Sequence, residues 1–110
     1  MALPLTVFQA LPLQVSLTPE VIYESPVGYN TIFLQAQILN PDNQERTVSL
    51  NFLRGGNSVQ MFHNYPVPAG EILYIVGSGG KMILEPGDSW ELSGSSTLLS
   101  FYGSLLQTLK

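Results

Sequence analysis

The sequence predicts an all-β fold, a two-sheet antiparallel β-sandwich of seven to nine strands with an extended N-terminal arm. Three observations carry this. Apolar and polar residues alternate with period two through several segments. Gly- and Pro-rich turns punctuate the chain at short intervals. No segment has a sustained helical repeat, and only Ser104–Lys110 is compatible with a helical turn. Jelly-roll and immunoglobulin-like connectivities both fit this pattern. At 110 residues and 45% hydrophobic, the chain has the size and apolar content of one domain with one core.

Residues 1–19 stand apart from the sandwich expected over 20–110. Ala2-Leu3-Pro4-Leu5-x-Val7 recurs eight residues later as Ala10-Leu11-Pro12-Leu13-x-Val15, and no charge precedes Glu20. Prolines exclude a central strand, so an apolar, uncharged arm is expected, and such a surface needs cover. Leu3, Leu5, Val7, Phe8, Leu11, Leu13 and Val15 are the candidate partner-binding residues. Leu3–Phe8 is expected against a neighbouring subunit. Leu11–Leu17 fits either that role or a first strand of the same domain.

Thr31–Leu39 alternates, with Ile32, Leu34, Ala36 and Ile38 on one face and Phe33, Gln35, Gln37 and Leu39 on the other. Pro41 suits the second position of a type I turn in Asn40–Asn43. A strand over Arg46–Leu53 follows, with Val48, Leu50 and Phe52 on one face, and the two strands read as a long hairpin. Gly55–Ser58 reads as a flexible turn and Val59–His63 as a short strand. Tyr65–Gly70 reads as a corner in which Pro66 and Pro68 demand an edge or a passage between sheets. Glu71–Val76 and Lys81–Leu84 flank Gly77-Ser78-Gly79-Gly80 as a second hairpin. Glu85-Pro86-Gly87-Asp88 fits a type II turn, with proline fixing φ and glycine accepting a positive one. Ser89–Ser93 is a strand, Gly94–Thr97 a loop, and Leu98–Leu105 or beyond the closing strand. Pro26, Gly28, Pro41, Pro68, Gly70, Pro86, Gly87 and Asp88 are the expected structural turn residues.

The inventory for chemistry is poor. Cysteine is absent, which rules out disulfides and thiolate metal sites and favours assembly in a reducing cytoplasm. His63 is the single histidine, and a nucleophile–base pair would depend on it alone. Glu85/Asp88 and Glu20/Glu24 are close in sequence, but Asp88 sits where a turn residue bonds local amides. Asp42/Asn43 is too poor in carboxylates for calcium. Gly77–Lys81 lacks the glycine and the hydroxyl that a phosphate loop requires at Ile75 and Met82, and it fails the dinucleotide fingerprint. Pro68-x-Gly70 and Pro86-Gly87 faintly resemble metal-binding double-stranded β-helix enzymes, whose histidine cluster this chain cannot supply. We therefore expect no catalytic residues, no cofactor and no metal. The aromatics Trp90, Tyr23, Tyr29, Tyr65, Tyr74 and Tyr102 are candidates for a sugar platform, for the core or for a protein interface.

Net charge is −4, and Arg46, Arg54, Lys81 and Lys110 are scattered. That pattern provides neither a nucleic-acid footprint nor a polybasic membrane anchor. The N-terminus has no basic start, so no signal peptide is expected, and no run reaches spanning length.

Several turn-centred motifs occur in a characteristic order. Tyr23 and Pro26-Val27-Gly28-Tyr29-Asn30-Thr31-Ile32 lead into a strand ending at Asn40. Val67-Pro68-Ala69-Gly70 precedes an apolar strand, and Leu84-Glu85-Pro86-Gly87-Asp88-Ser89 a short one. Ser104-Leu105-Leu106-x-Thr108 closes the chain. This order, over about Tyr23–Thr108, resembles the small β-sandwich virion proteins of tailed bacteriophages, cyanophages among them. Each motif is ordinary turn chemistry, so the order carries the resemblance. The arm lies outside it.

The resemblance implies a non-enzymatic virion protein assembled in the host cytoplasm. It points to a capsid cement (decoration) protein that clamps major capsid protein subunits, self-associating with a trimer as the first expectation. A neck, tail or fibre-attachment component is the alternative. A carbohydrate-binding module is the alternative of another class. The group brings no catalytic residues to transfer.

Overall fold

The computed structural model describes residues 6–76 and 81–110. Its regular elements there are all strands: β1 Thr6–Gln14, β2 Glu20–Glu24, β3 Tyr29–Leu39, β4 Arg46–Arg54, β5 Asn57–Val67, β6 Ile72–Val76, β7 Met82–Leu84, β8 Ser89–Gly94 and β9 Ser100–Leu109. The helical turn entertained for the C-terminus is absent. Ser104–Leu109 belong to β9, held between β1 and β3.

One sheet has the order β1-β9-β3-β6, with β7 also on β3, and the other the order β2-β8-β4-β5. All pairings are antiparallel. Ile72–Val76 runs beside Leu39–Ala36, and Met82–Leu84 continues beside Phe33–Thr31. β6 and β7 thus occupy two halves of one strand position beside β3, where they pair with β3 and not with each other as the expected second hairpin requires. Its proposed turn, residues 77–80, lies outside the described residues. With those halves counted as one, the two sheet orders become 1-8-3-6 and 2-7-4-5. The fold is a jelly roll. The immunoglobulin-like alternative is thereby set aside.

The long hairpin expected over 31–53 is also corrected. β3 lies in the first sheet and β4 in the second, because Asn40 turns the chain out of one layer and into the other. Its amide donates to the carbonyls of Gln44 and Val67 at 2.8 and 2.9 Å, and its Oδ1 accepts the Asp42 amide at 3.0 Å. Pro41 lies inside this side-chain-closed turn. The hairpin that does form is β4–β5, closed by Gly55-Gly56, both at positive φ, with Arg54 opposite Asn57. That is the two-residue type I′ geometry.

Of the two alternatives for Leu11–Leu17, the described residues follow the first strand of the same domain, and that strand begins at Thr6. Thr6–Gln14 pairs with β9 along its whole length, and Val15 is buried in the core. The prolines are compatible with this because β1 is an edge strand, where Pro12 has no outer neighbour to disappoint.

Strict alternation in β3 also fails. Thr31, Phe33, Ala36 and Ile38 are the buried residues, because a bulge between Phe33 and Gln35 shifts the register. The bulge brings Phe33 to the same side as Ala36 and Ile38. Phe33 stacks on Trp90 at 4.2 Å between centroids, and Phe101 meets Trp90 edge-on. Val48, Leu50, Leu92 and Leu105 complete the sandwich interior.

A polar chain closes one end of it. Ser25 Oγ donates to the Tyr29 carbonyl at 3.0 Å, so its partner Thr31 must be the donor in their 2.8 Å bond. Thr31 then accepts from Tyr23 (2.8 Å), which accepts from the Gln107 amide (2.7 Å). Each hydroxyl donates once and accepts once. The chain ties β2 of the second sheet to β3 and β9 of the first.

Three turns share one local solution. Tyr29 donates to the Pro26 carbonyl, Glu71 to Pro68 and Asp88 to Glu85. Gly28, Gly70 and Gly87 occupy the third positions with positive φ, as type II turns require. A Cβ on Gly87 would meet nothing within 4 Å, so a substitution there acts through the backbone alone. Gly87→Val is expected to cost about 1–3 kcal/mol, read as a lowered urea midpoint. An unchanged midpoint would show that the turn does not constrain the fold.

A candidate interaction face

The five strands of the first sheet contain no charged residue on either face. Their inward side chains fill the core, which leaves the outward ones to define the exposed surface. Registers place Phe8 opposite Leu106, Leu106 opposite Ile32, and Ile32 opposite Ile83. This is one straight apolar row across all four strand positions. A parallel row runs Pro12, Tyr102, Gln37, Tyr74. Beyond it lies Gln14, Ser100, Leu39, Ile72. Phe8 is 74% exposed, Tyr74 59% and Ile83 58%. Side chains this apolar, aligned on one face, are not the isolated exposed hydrophobics found on any protein.

The second sheet presents a different surface. Its outer face carries Glu24 and Glu91 with Ser49, Asn51 and Asn64, and Asn51 donates to Glu91 at 3.1 Å. A shallow cleft of about 150 Å³ lies there between Thr47, Ser49, Asn64 and Ser95. Its polar groups bond one another: Ser49 Oγ accepts the Asn64 amide and Ser95 Oγ the Thr47 amide. Few are left to converge on a ligand.

The candidate residues from the sequence divide clearly. Leu3 and Leu5 lie outside the described residues. Val15 is core, and Leu11 and Leu13 pack partly buried against it. Val7 faces inward on β1, beside Gln107. Phe8 alone of the described set projects from the outer face. The rest of that face comes from β3, β6, β7 and β9. The signal for it lay in the sequence as charge-free runs, but only the topology brings five such runs into one sheet.

The groups weighed for chemistry have structural partners. His63 is exposed, with its Nδ1 3.0 Å from the side-chain amide nitrogen of Gln60. Among the described residues no three of His, Cys, Asp and Glu gather as a metal would require. Asp88 is buried and receives Arg54 in a fork, Nε to Oδ1 at 2.9 Å and Nη2 to Oδ2 at 2.6 Å, plus the Glu85 amide at 2.8 Å. The Arg54 hydrogen bond is the main reason the Asp88 carboxyl is held below the ordinary range, and the Glu85 amide adds to it against the opposing effect of burial. The resulting stabilisation is complete above the ordinary carboxylate pKa of 3.8 and disappears as pH falls through the lowered native value. Thermal melts should therefore fall less steeply below pH 3.8 in Asp88→Asn than in the wild type. Parallel slopes would remove Asp88 as the titrating group.

Trp90 is fully buried between the sheets, so it belongs to no surface platform. Tyr65, Tyr74 and Tyr102 are the exposed tyrosines, and Tyr74 and Tyr102 share one row of the charge-free face.

Comparison with solved structures fits the architecture. A subunit from Bacillus endospore appendages, described as a novel family of disulfide-linked pili, superposes with a TM-score of 0.54 at 12% identity. The match covers 96% of this chain and 88% of that one. It is a likeness of fold. Disulfide linkage is closed to the present chain, which has no cysteine. A pentameric capsid protein from metagenomic phage sequences matches with a TM-score of 0.44 at 13% identity, over 87% of this chain and 59% of that one. No protein-family model matches the sequence, and no curated protein does.

Proposed function

We propose that this chain is a non-enzymatic structural protein of a phage virion, a capsid decoration protein whose self-associated form clamps neighbouring major capsid protein subunits. The observation that carries the reading is the charge-free, apolar outer face of the first sheet, with Phe8, Ile83, Tyr74 and Tyr102 exposed on it. Burying such a face against protein removes apolar surface from water at ~25 cal/mol per Å² without stranding a charge. A small enzyme would need instead a concave site with convergent polar groups. The described part of the expected arm is strand β1. The sheet face takes the partner-binding role, and β1 contributes Phe8 to it. The order of turn motifs supports a virion setting, with assembly in the host cytoplasm.

Copy number tests the reading. Quantitative mass spectrometry of purified particles from the phage that encodes the chain should find it near the number of capsid subunits. A few tens of copies would move it to the neck, tail or fibre attachment. Absence from particles would overturn the proposal.

A further inference from the structure

We propose that the outer face of the first sheet is the interface between two copies of this chain, stacked sheet on sheet about a two-fold axis. The inference rests on the reading that this face serves assembly, and it names the occupant.

Charge selects a second copy. At net charge −4 two chains repel, and the second sheet would set Glu24 and Glu91 against their equivalents. The strands of the first sheet bring no charge of their own to the contact, which Glu71 and Lys81 only flank.

Area fits too. Eleven residues of β3 and four strand positions define a face of roughly 36 by 19 Å, or roughly 700 Å² a side. That is close to the ~800 Å² per partner of a standard stable interface.

Relief favours a self-complementary fit. The row Phe8–Leu106–Ile32–Ile83 is a ridge of large side chains, and Pro12–Tyr102–Gln37–Tyr74 is another. Between them β1 and β9 carry only Ala10 and Ser104. A two-fold axis lets the Phe8 end of each ridge enter the other copy's Ala10–Ser104 trough, as inner faces interdigitate in sandwiches.

The β1 edge discourages the competing mode of addition. Pro12, which has no N–H to offer an added strand, sits on the β1 edge. Stacking is therefore favoured over growth at that edge. The aliphatic content of the face, with Ile83, Ile72 and Leu39 exposed, favours protein over sugar.

Sedimentation velocity of the full chain over the micromolar range tests this directly. The wild type should run as a dimer. Ile83→Glu should weaken it by at least about a hundredfold, because the axis brings two carboxylates into the contact, and Tyr74→Glu should do likewise. Val21→Lys, on the second sheet, should leave the dimer intact. Circular dichroism reports folding, so if one variant fails to fold the other still decides.

A wild-type monomer throughout, or a dimer surviving both glutamates, overturns the proposal. So does glycan binding by a monomeric wild type that is lost in Tyr74→Glu, which would assign the face to a sugar. Particle analysis separates the two readings. A monomer present in virions sinks only the dimer, whereas a dimer absent from virions sinks the virion role and leaves the interface standing.

Discussion

Trp90→Ala is expected to destabilise the protein by about 3–5 kcal/mol, the range for deleting a large buried aromatic. A small domain has only about 5–15 kcal/mol in total, so the variant should be partly unfolded near physiological temperature. Trp90 is fully buried in β8 and stacks on Phe33 across the sandwich, with Phe101 against its edge. Truncation removes the indole and leaves Phe33 and Phe101, from the other sheet, facing a void. Trp90→Phe should cost much less. It keeps a ring against Phe33, and Trp90 Nε1 is buried without a hydrogen-bond partner among the described residues. Losing that N–H breaks no hydrogen bond among the described residues. Urea unfolding of the three proteins checks the order. If Trp90→Phe proved as damaging as Trp90→Ala, the stack would not be the source of the stability.

The part of this fold that could be read from sequence is the part set by neighbours in the chain. Pro86-Gly87 and Pro68-x-Gly70 specify their turns because proline and glycine restrict φ on the spot. Val48 and Leu50 alternate inward as expected because β4 keeps its parity through them. Pairing is another matter. β3 and β4 are adjacent in sequence and lie in different sheets, whereas β3 pairs with β9, some 70 residues on. Nothing local to Asn40 announces that its amide will reach Val67. The bulge at Phe33 was hidden for the same reason, since Ile32 and Leu34 are as apolar as the residues that entered the core. The N-terminal segment misled because proline argues against a central strand and is silent about an edge. The candidate interaction face was visible only as an absence of charge, spread over five separated segments.

Asn40→Asp should be the second most damaging substitution, and its damage should depend on pH. Asn40 is fully buried at the passage from β3 to β4. Its Nδ2 donates to the Gln44 and Val67 carbonyls, with the Pro68 carbonyl at 3.3 Å. Its backbone amide donates to Glu71, and its carbonyl accepts the Gly70 amide. One residue thus holds two of the crossings between the sheets, β3 to β4 and β5 to β6. An ionised carboxylate in the same place has no donor and faces carbonyl oxygens. With the buried Val67 acceptor and the part-buried Gln44 acceptor stripped at about 1–3 kcal/mol each, a loss of ~3–5 kcal/mol at neutral pH is expected. Protonation restores one donor, so folding raises the pKa of the introduced carboxyl above its unfolded value. The penalty must then be smallest below the unfolded pKa and grow as pH rises through the folded one. Asn40→Ala, with nothing to titrate, should lose a similar amount at every pH. Denaturation of both variants at pH 4 and pH 7 separates these behaviours, and equal losses for Asn40→Asp at the two pH values would refute the carbonyl cluster as the cause. The consequence reaches the candidate interface, because Leu39 and Ile72 end the face beside this corner. A variant that still folds but loosens here should associate less well even though no exposed residue has changed.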